Sequence, residues 1–177
     1  MLTLTTKDFE AARARIAPHI HWTPLLTSHQ LSDLTGFDVR LKAECFQKVG
    51  SYKIRGPLNK FAQMPEEEKR RGVVCSSAGN HAQGVALAAR IHGIRAVVCM
   101  ATNATPAKVA ATKAYGAEVV SHGTIWDEAN EKAKKAESPG TAPARSQTFF
   151  QLSTTHCQLP GSSIQISGLP LVPLVWW

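Results

Sequence analysis

Lys53 is the first residue whose surroundings suggest chemistry. It lies within the stretch Gly-Ser-Tyr-Lys-Ile-Arg-Gly at residues 50–56, where a loop is predicted to end and a helix to begin. Burial and the positive end of a helix both favour a neutral lysine amine, which can then attack a carbonyl carbon. A lysine in the first turn of a helix is more often solvated, so this motif alone assigns no catalytic role.

A second motif occupies residues 76–84 and reads Ser-Ser-Ala-Gly-Asn-His-Ala-Gln-Gly. It follows a short apolar run and opens a predicted helix, where backbone N–H groups can bind an anion. It is not the glycine-rich fingerprint of dinucleotide-binding proteins. The alternative is an ordinary helix start capped by Ser77 or Asn80, with His81 as a structural histidine.

Taken together, the two motifs are much more specific. Ser-Tyr-Lys-x-Arg-Gly followed about 25 residues later by Ser-Ala-Gly-Asn-His-Ala-Gln-Gly resembles the threonine/serine dehydratase and serine racemase family. These are fold-type II pyridoxal-phosphate enzymes, and the resemblance covers about residues 5–137. The supporting stretches are Thr23-Pro24-Leu25 with Ser28, Glu44, Thr105-Pro106-x-Lys108 and Tyr115-Gly116-Ala117.

The resemblance implies roles for three residues around the cofactor. Lys53 is expected to form an aldimine with pyridoxal 5′-phosphate and then to take the α-proton of the substrate. Tyr52 stands where the family usually has phenylalanine and is expected to pack beside the cofactor ring. Asn80 is expected to hydrogen-bond the 3′-oxygen of that ring. No residue is assigned to a metal.

The resemblance also implies a substrate site and a reaction. Ser77, Ala78, Asn80 and His81 are expected to bind the substrate carboxylate through side chains and backbone N–H groups. Loss of the β-hydroxyl from L-serine or L-threonine would then give a 2-oxo acid and ammonia. Racemases resemble Ser-Ser-Gly-Asn here, and because racemisation needs a proton donor on both faces, Ala78 favours a dehydratase. Serine racemase or a related pyridoxal-phosphate lyase remains the alternative.

The elements that must position these motifs follow a regular plan. Short apolar runs at residues 73–75, 94–100 and 117–120 each follow a predicted helix that ends at a glycine. This rhythm is typical of an open parallel sheet flanked by helices, so the fold class is α/β. With the resemblance, the prediction becomes a fold-type II enzyme, tryptophan synthase β-like and incomplete. Ligands of such sheets bind at the carboxyl ends of the strands.

The segment before residue 65 is predicted to contain a helix at residues 6–17, a strand at 39–43 and a helix at 53–63. Residues 1–72 are interpreted as the N-terminal part of the large pyridoxal-phosphate domain. Residues 73–137 are interpreted as most of a small α/β domain.

Residues 138–177 differ from the rest of the chain. All but one of the 20 Lys and Arg residues and all 13 Asp and Glu residues precede this tail, which holds half of the 10 prolines. We predict an aberrant tail, either disordered or the product of a shifted reading frame that begins near residues 137–148.

The family's fold needs roughly twice this length, including a glycine-rich loop for the cofactor phosphate that the chain lacks. We therefore expect this chain to bind the cofactor weakly or not at all, as a catalytically inactive fragment. The main hypothesis is a hydroxyamino-acid dehydratase, present here as its N-terminal part. The alternative is a non-catalytic fragment that folds poorly or acts only by association with a full-length relative.

Charge and cysteine usage restrict the partners. The net charge of +7 invites a nucleic-acid module as an unrelated alternative, but the basic residues are dispersed among acidic ones. No apolar run approaches the ~20 residues of a membrane span, and the N-terminus has no signal-like segment. We expect a cytoplasmic protein with reduced thiols and an amino-acid substrate, bound to neither nucleic acid nor membrane. Full-length members of the family are expected to be homo-oligomers.

Overall fold

A computed structural model describes residues 4–137 and 148–149. The α-helices are α1 Thr6–Ile16, α2 His29–Thr35, α3 Arg55–Ala62, α4 Glu66–Arg71, α5 Asn80–Ile91, α6 Pro106–Ala114 and α7 Trp126–Glu137. The β-strands are β1 Leu25–Thr27, β2 Arg40–Lys42, β3 Val73–Ser76, β4 Ala96–Met100, β5 Glu118–Ser121 and β6 Thr148–Phe149. Short 3₁₀ turns are Ala17–His19, Glu44–Phe46, Lys48–Gly50 and Tyr52–Ile54.

The main sheet has four parallel strands in the order β5–β4–β3–β6. Its strands β3, β4 and β5 confirm the three runs predicted from the sequence, with shifts of one or two residues at their ends. Strand β6 pairs Thr148 with Val73 and Phe149 with Val74. It lies inside the segment predicted to be aberrant, and the other residues of that segment fall outside the described part of the chain.

Helix boundaries follow local signals. In α4, three glutamates occupy the first turn and Lys69, Arg70 and Arg71 the last, which suits the helix dipole. The helix ends at Gly72, which has a φ of +88° and whose missing Cβ would lie 2.9 Å from the backbone oxygen of Arg95. Glycine alone fits both the conformation and the space. This residue therefore sets the path from α4 into β3.

The core is built on both faces of the sheet. On one face, the central strands pack against α3 and α5 through Leu58, Phe61, Val85 and Val98, all 1% exposed or less. On the other face, β3 and β4 pack against Ala129 and Ala133 of α7. The larger cluster contains residues from both sides of position 72, which was predicted to divide two domains. That division stays a prediction.

The strands β1 and β2 form a separate antiparallel pair in which Leu26 lies opposite Leu41. Leu25 and Leu26 are 56% and 47% exposed, although neighbouring strand residues point to opposite faces. Both faces of this pair are therefore open.

Across residues 4–137 and 148–149, the helices are all too short or too polar to cross a bilayer.

Candidate active site

Lys53 lies in the 3₁₀ turn Tyr52–Ile54, which runs directly into α3. The sequence predicted one helix from residue 53 to 63, and the structure replaces its first turn with this tighter one. The Oγ of Ser51, which is buried, accepts a hydrogen bond from the Lys53 N–H at 3.3 Å. The half-buried Lys53 extends its Nζ to 5.0 Å from the centre of the Tyr52 ring, a cation–π contact. The structure thus brings the side chains of two of the three predicted cofactor residues, Lys53 and Tyr52, into contact.

The approach to this turn is conformationally strained. Val49 has a φ of +60°, the only positive φ of a non-glycine residue in the described part of the chain. For a β-branched residue this conformation costs about 1–3 kcal/mol, and such strain clusters at functional sites. The buried Gln47 holds the loop in place, because its side chain accepts the His21 N–H at 2.8 Å and donates to the His21 carbonyl at 2.9 Å.

The second motif begins at the carboxyl end of β3. The Ser77 N–H donates to the Cys99 carbonyl at 3.1 Å, and the Ser77 Oγ accepts the Gly79 N–H at 3.3 Å. Gly79 is the N-cap of α5 and no side chain caps the helix, so the alternative interpretation, a helix start capped by Ser77 or Asn80, was wrong. Ser77 instead stabilises the loop before the helix. The first N–H groups of α5 are left without a side-chain cap, which suits them to bind an anion.

Gly84 joins the two motifs. A Cβ at this position would lie 2.5 Å from the backbone oxygen of Lys53, 2.8 Å from its carbonyl carbon and 3.2 Å from the backbone nitrogen of Ile54. The backbone of α5 therefore touches the backbone of the lysine turn. Asn80 lies four residues before Gly84, on the same face of α5. The face of α5 that carries Asn80 is thus the face that meets the Lys53 turn.

The strand order of the main sheet independently predicts a ligand site at the carboxyl end of β3. From β3 the chain proceeds outward through β4 to β5, and then returns to place β6 on the opposite side of β3. The direction of strand addition reverses at β3, and ligands of open α/β sheets bind at such switch points, beyond the carboxyl ends of the strands. The loop that holds Ser77 and Ala78 begins at the end of this strand, and α5 begins with Asn80 and His81.

A buried ion pair anchors the other side of the lysine turn. Arg55 donates from Nε and Nη2 to the two carboxylate oxygens of Glu44 at 2.8 and 2.7 Å. The hydroxyl of the buried Thr23 also donates to Glu44, at 2.6 Å. Burial acts to raise the pKa of Glu44, but the hydrogen bonds from Arg55 and Thr23 and the nearby positive charges hold it below its usual value of about 4.5. Glu44 is therefore ionised at neutral pH.

This pKa shift predicts a contribution to acid stability. A carboxyl group with a lowered pKa in the folded state stabilises the protein above its usual pKa, and the contribution is lost as the pH falls through the folded-state pKa. The difference in unfolding free energy between the wild-type chain and Glu44→Gln should therefore shrink as the pH falls below about 4.5. Urea unfolding from pH 7 to pH 3 measures it.

The exposed Glu67, paired with Arg70 on the surface of α4, provides the control. The Glu67→Gln variant should follow the wild-type chain more closely over the same pH range, because solvent screens its ion pair. A difference between wild type and Glu44→Gln that stays constant from pH 7 to pH 3 would contradict the assignment.

The described residues support neither Cys75 as a nucleophile nor a metal centre. Burial, with a smaller effect from Cys99, raises the pKa of the Cys75 thiol to about 12, so this thiol is not a nucleophile at neutral pH. Within residues 4–137 and 148–149, no group of three or more His, Cys, Asp or Glu side chains is arranged to hold a metal ion.

Sequence reasoning assigned no role to Gly84, Arg55 or Glu44, although Gly84 and Arg55 belong to the two motifs and Glu44 is one of the supporting positions. A glycine inside an apolar helix is a signal of close backbone approach, and it could have identified Gly84. The sequence offers no comparable signal that Arg55 and Glu44 are paired.

The sequence profile of the family described as "Pyridoxal-phosphate dependent enzyme" matches residues 16–156. The chain therefore belongs to this family, and the match continues beyond residue 137, where the resemblance was predicted to end.

Three relatives show which proteins of known name the chain resembles in sequence and in structure. The L-threonine ammonia-lyase of Thermotoga maritima is 47% identical over 134 residues, which cover 76% of this chain and 33% of that protein. The crystal structure of a threonine deaminase from T.th. is 45% identical with a TM-score of 0.64, covering 75% of this chain and 41% of that one. Maize serine racemase is 33% identical with a TM-score of 0.72, covering 82% and 43%.

These similarities confirm the predicted family and fold class. The chain spans about a third of the length of the curated relatives it matches. The cofactor of the family is pyridoxal phosphate, as predicted. The roles of Lys53, Tyr52, Ser77, Ala78, Asn80 and His81 stay predictions.

Proposed function

We propose that this chain carries the lysine motif of a pyridoxal-phosphate-dependent ammonia-lyase, which would convert L-serine or L-threonine to a 2-oxo acid and ammonia, and that the chain itself is catalytically inactive. The observation that carries the proposal is the backbone contact between Gly84 and Lys53. It brings the backbone of the turn that carries Lys53 against α5, one helical turn from the uncapped N-terminus of that helix. An amine and an anion site side by side are what an enzyme acting on α-amino acids requires.

The residues present fit the cofactor. Gly79 has no atom within 4 Å of where its Cβ would be, so there is open space in front of α5. When bound, pyridoxal phosphate supplies an aldehyde for a lysine amine and an electron sink for the substrate. Lys53 would bind the aldehyde carbon through Nζ, Tyr52 would pack against the ring, and Asn80 would donate a hydrogen bond to the ring oxygen.

The substrate carboxylate would bind at the start of α5. Ser77 and His81 would donate to it together with the first backbone N–H groups of the helix, which carry its positive dipole end. The Lys53 amine, once free, would take the proton from the substrate Cα. The β-hydroxyl leaves as water, and hydrolysis returns one water, so the net products are a 2-oxo acid and ammonia.

Ala78 favours elimination over racemisation. Its methyl group packs against the core cluster and offers no proton. Inversion at the substrate Cα needs a proton donor on the face opposite the base. Serine racemase is kept as the second candidate because the maize enzyme is structurally similar. Formation of D-serine rather than 2-oxo acid from L-serine would favour that alternative.

Lys53→Ala tests the proposal directly. The wild-type chain, mixed with excess pyridoxal phosphate and treated with borohydride, should carry the trapped cofactor on Lys53, as mapped by mass spectrometry. The Lys53→Ala variant should fall to background because the amine is gone.

Lys60→Ala is the matched control, because this exposed lysine lies in the same region, in α3. It should leave the trapping at Lys53 unchanged. Equal modification of all lysines would overturn the proposal. Trapping at Lys53 without 2-oxo acid from serine or threonine would mark this chain as the inactive fragment.

We also propose that the protein acts in the cytoplasm and binds no nucleic acid, and that full-length members of the family are homo-oligomers. The described cysteines, Cys45, Cys75 and Cys99, are free thiols, as is usual in a reducing compartment. Pairs such as Arg70–Glu67 and Arg95–Glu118 leave its basic charge dispersed. Light scattering measures the oligomeric state, and a nucleic-acid binding assay at varied salt concentration tests for a nucleic-acid partner.

A further inference from the structure

The Glu44–Arg55 ion pair takes no part in the proposed chemistry, although Arg55 lies only two residues after Lys53. Its side chains are 13% and 11% exposed, and the two charges are joined by a two-pronged hydrogen-bonded contact. A buried ion pair is weak evidence for stability, because apolar residues of similar volume often serve as well. Its presence here calls for another explanation.

The position of Arg55 in the chain suggests why the ion pair is present. Arg55 is the first residue of α3 and directly follows the turn that holds Lys53. The lysine turn is thus fixed from three sides: by the Ser51 hydroxyl, by the backbone of Gly84, and by Arg55 through Glu44.

Glu44 is in turn fixed to the N-terminal segment. It accepts the Thr23 hydroxyl, and the Thr23 carbonyl accepts the Lys42 ammonium at 2.6 Å. A planar guanidinium bound to both carboxylate oxygens fixes orientation as well as distance, which a point charge does not. The pair can therefore fix the angle at which α3 leaves the lysine turn.

We propose that Arg55 is a positioning residue that, through its buried pair with Glu44, orients the Lys53 amine toward the N-terminus of α5. The inference rests on the proposed function, since it concerns the same amine. It gives the pair a role in the geometry of the site, in addition to its contribution to the stability of the fold.

Arg55→Lys is the central variant, because it keeps the charge and loses the two-pronged contact. Glu44→Gln/Arg55→Met is the second, because the glutamine oxygen can still accept the Thr23 hydroxyl while no charge is left buried alone. Arg40→Lys is the matched control, since Arg40 also donates twice to one carboxylate, Asp38, but on the surface.

Three measurements on the full chain separate the possibilities. They are the rate of borohydride-trapped modification of Lys53 by pyridoxal phosphate, the urea unfolding midpoint, and the hydrogen exchange of the backbone amides of residues 51–54. In Arg55→Lys we expect trapping at Lys53 to slow ~10-fold, because small misplacements of a reacting group are costly. We expect faster exchange at residues 51–54, an unfolding midpoint close to wild type, and unchanged trapping at Lys60.

Other outcomes decide against the proposal. Wild-type trapping rates and exchange in both Glu44/Arg55 variants would overturn it, as would unfolding of both, which would make the pair a stability element. A wild-type chain that shows no selective trapping at Lys53 would overturn the proposed function instead. Exchange at residues 51–54 would then decide the positioning role: acceleration in both variants supports it, and no change overturns it.

Discussion

The Gly84→Ala variant should be destabilised by about 3 kcal/mol and should lose selective modification of Lys53. Helix propensity alone predicts the opposite sign, because alanine in a helix interior is favoured over glycine by about 1 kcal/mol. The clash decides the outcome, since the new Cβ would lie 2.5 Å from the Lys53 carbonyl oxygen, and a backbone atom cannot rotate away. Either α5 or the lysine turn must move. Urea unfolding and borohydride trapping measure the two effects.

Gly79→Ala is the control for stability. Gly79 precedes α5 by one residue, has a φ of −130° and has open space where its Cβ would be. Its replacement should change the unfolding free energy far less than Gly84→Ala. If Gly84→Ala were as stable as wild type, the close approach of α5 to the lysine turn would be refuted.

The second large effect is expected for Phe61→Ala, which should cost about 3–5 kcal/mol. Phe61 is fully buried in the core cluster and lies near the C-terminal end of α3, the helix that follows Lys53. Loss of the ring leaves a cavity between α3 and the helices and strands packed against it. The unfolding midpoint in urea should fall accordingly, with the slope of the transition unchanged.

Leu34→Ala is the matched comparison, because Leu34 is also a large apolar helix residue but is 81% exposed. Its removal should change the unfolding free energy by no more than ~0.5 kcal/mol, as is usual for surface substitutions. Equal effects of the two substitutions would contradict the described core.

The sequence predicted best those elements whose signals are local. The charge order of α4 and its terminal glycine specify that helix within a single short segment. Pro106, at the first position of α6, likewise marks from the local sequence where that helix begins. The β-branched runs of β3 and β4 lie between such helices, so a parallel sheet was predictable without any long-range information.

Features that depend on distant contacts were not predictable. The 3₁₀ turn before α3 follows Val49 and Gly50, which both have positive φ, in a loop that Gln47 holds through hydrogen bonds to the distant His21. The pairing of Thr148 with Val73 brings together residues 75 positions apart, within a segment that offered no strand pattern. The site residues could be named from motifs, but the contact that joins the motifs, at Gly84, exists only in the folded chain.

The positions of the cysteines allow a fluorescent label to be attached close to the candidate active site. Cys75 and Cys99 are buried, and burial raises the pKa of both thiols, so alkylating dyes will react with them slowly. Cys45 is exposed and lies next to Glu44, in the turn that carries one half of the buried ion pair. With Cys157, which lies outside the described residues, replaced by serine, a fluorophore on Cys45 would report changes near this pair by its emission. The lysine and α5 would remain chemically untouched.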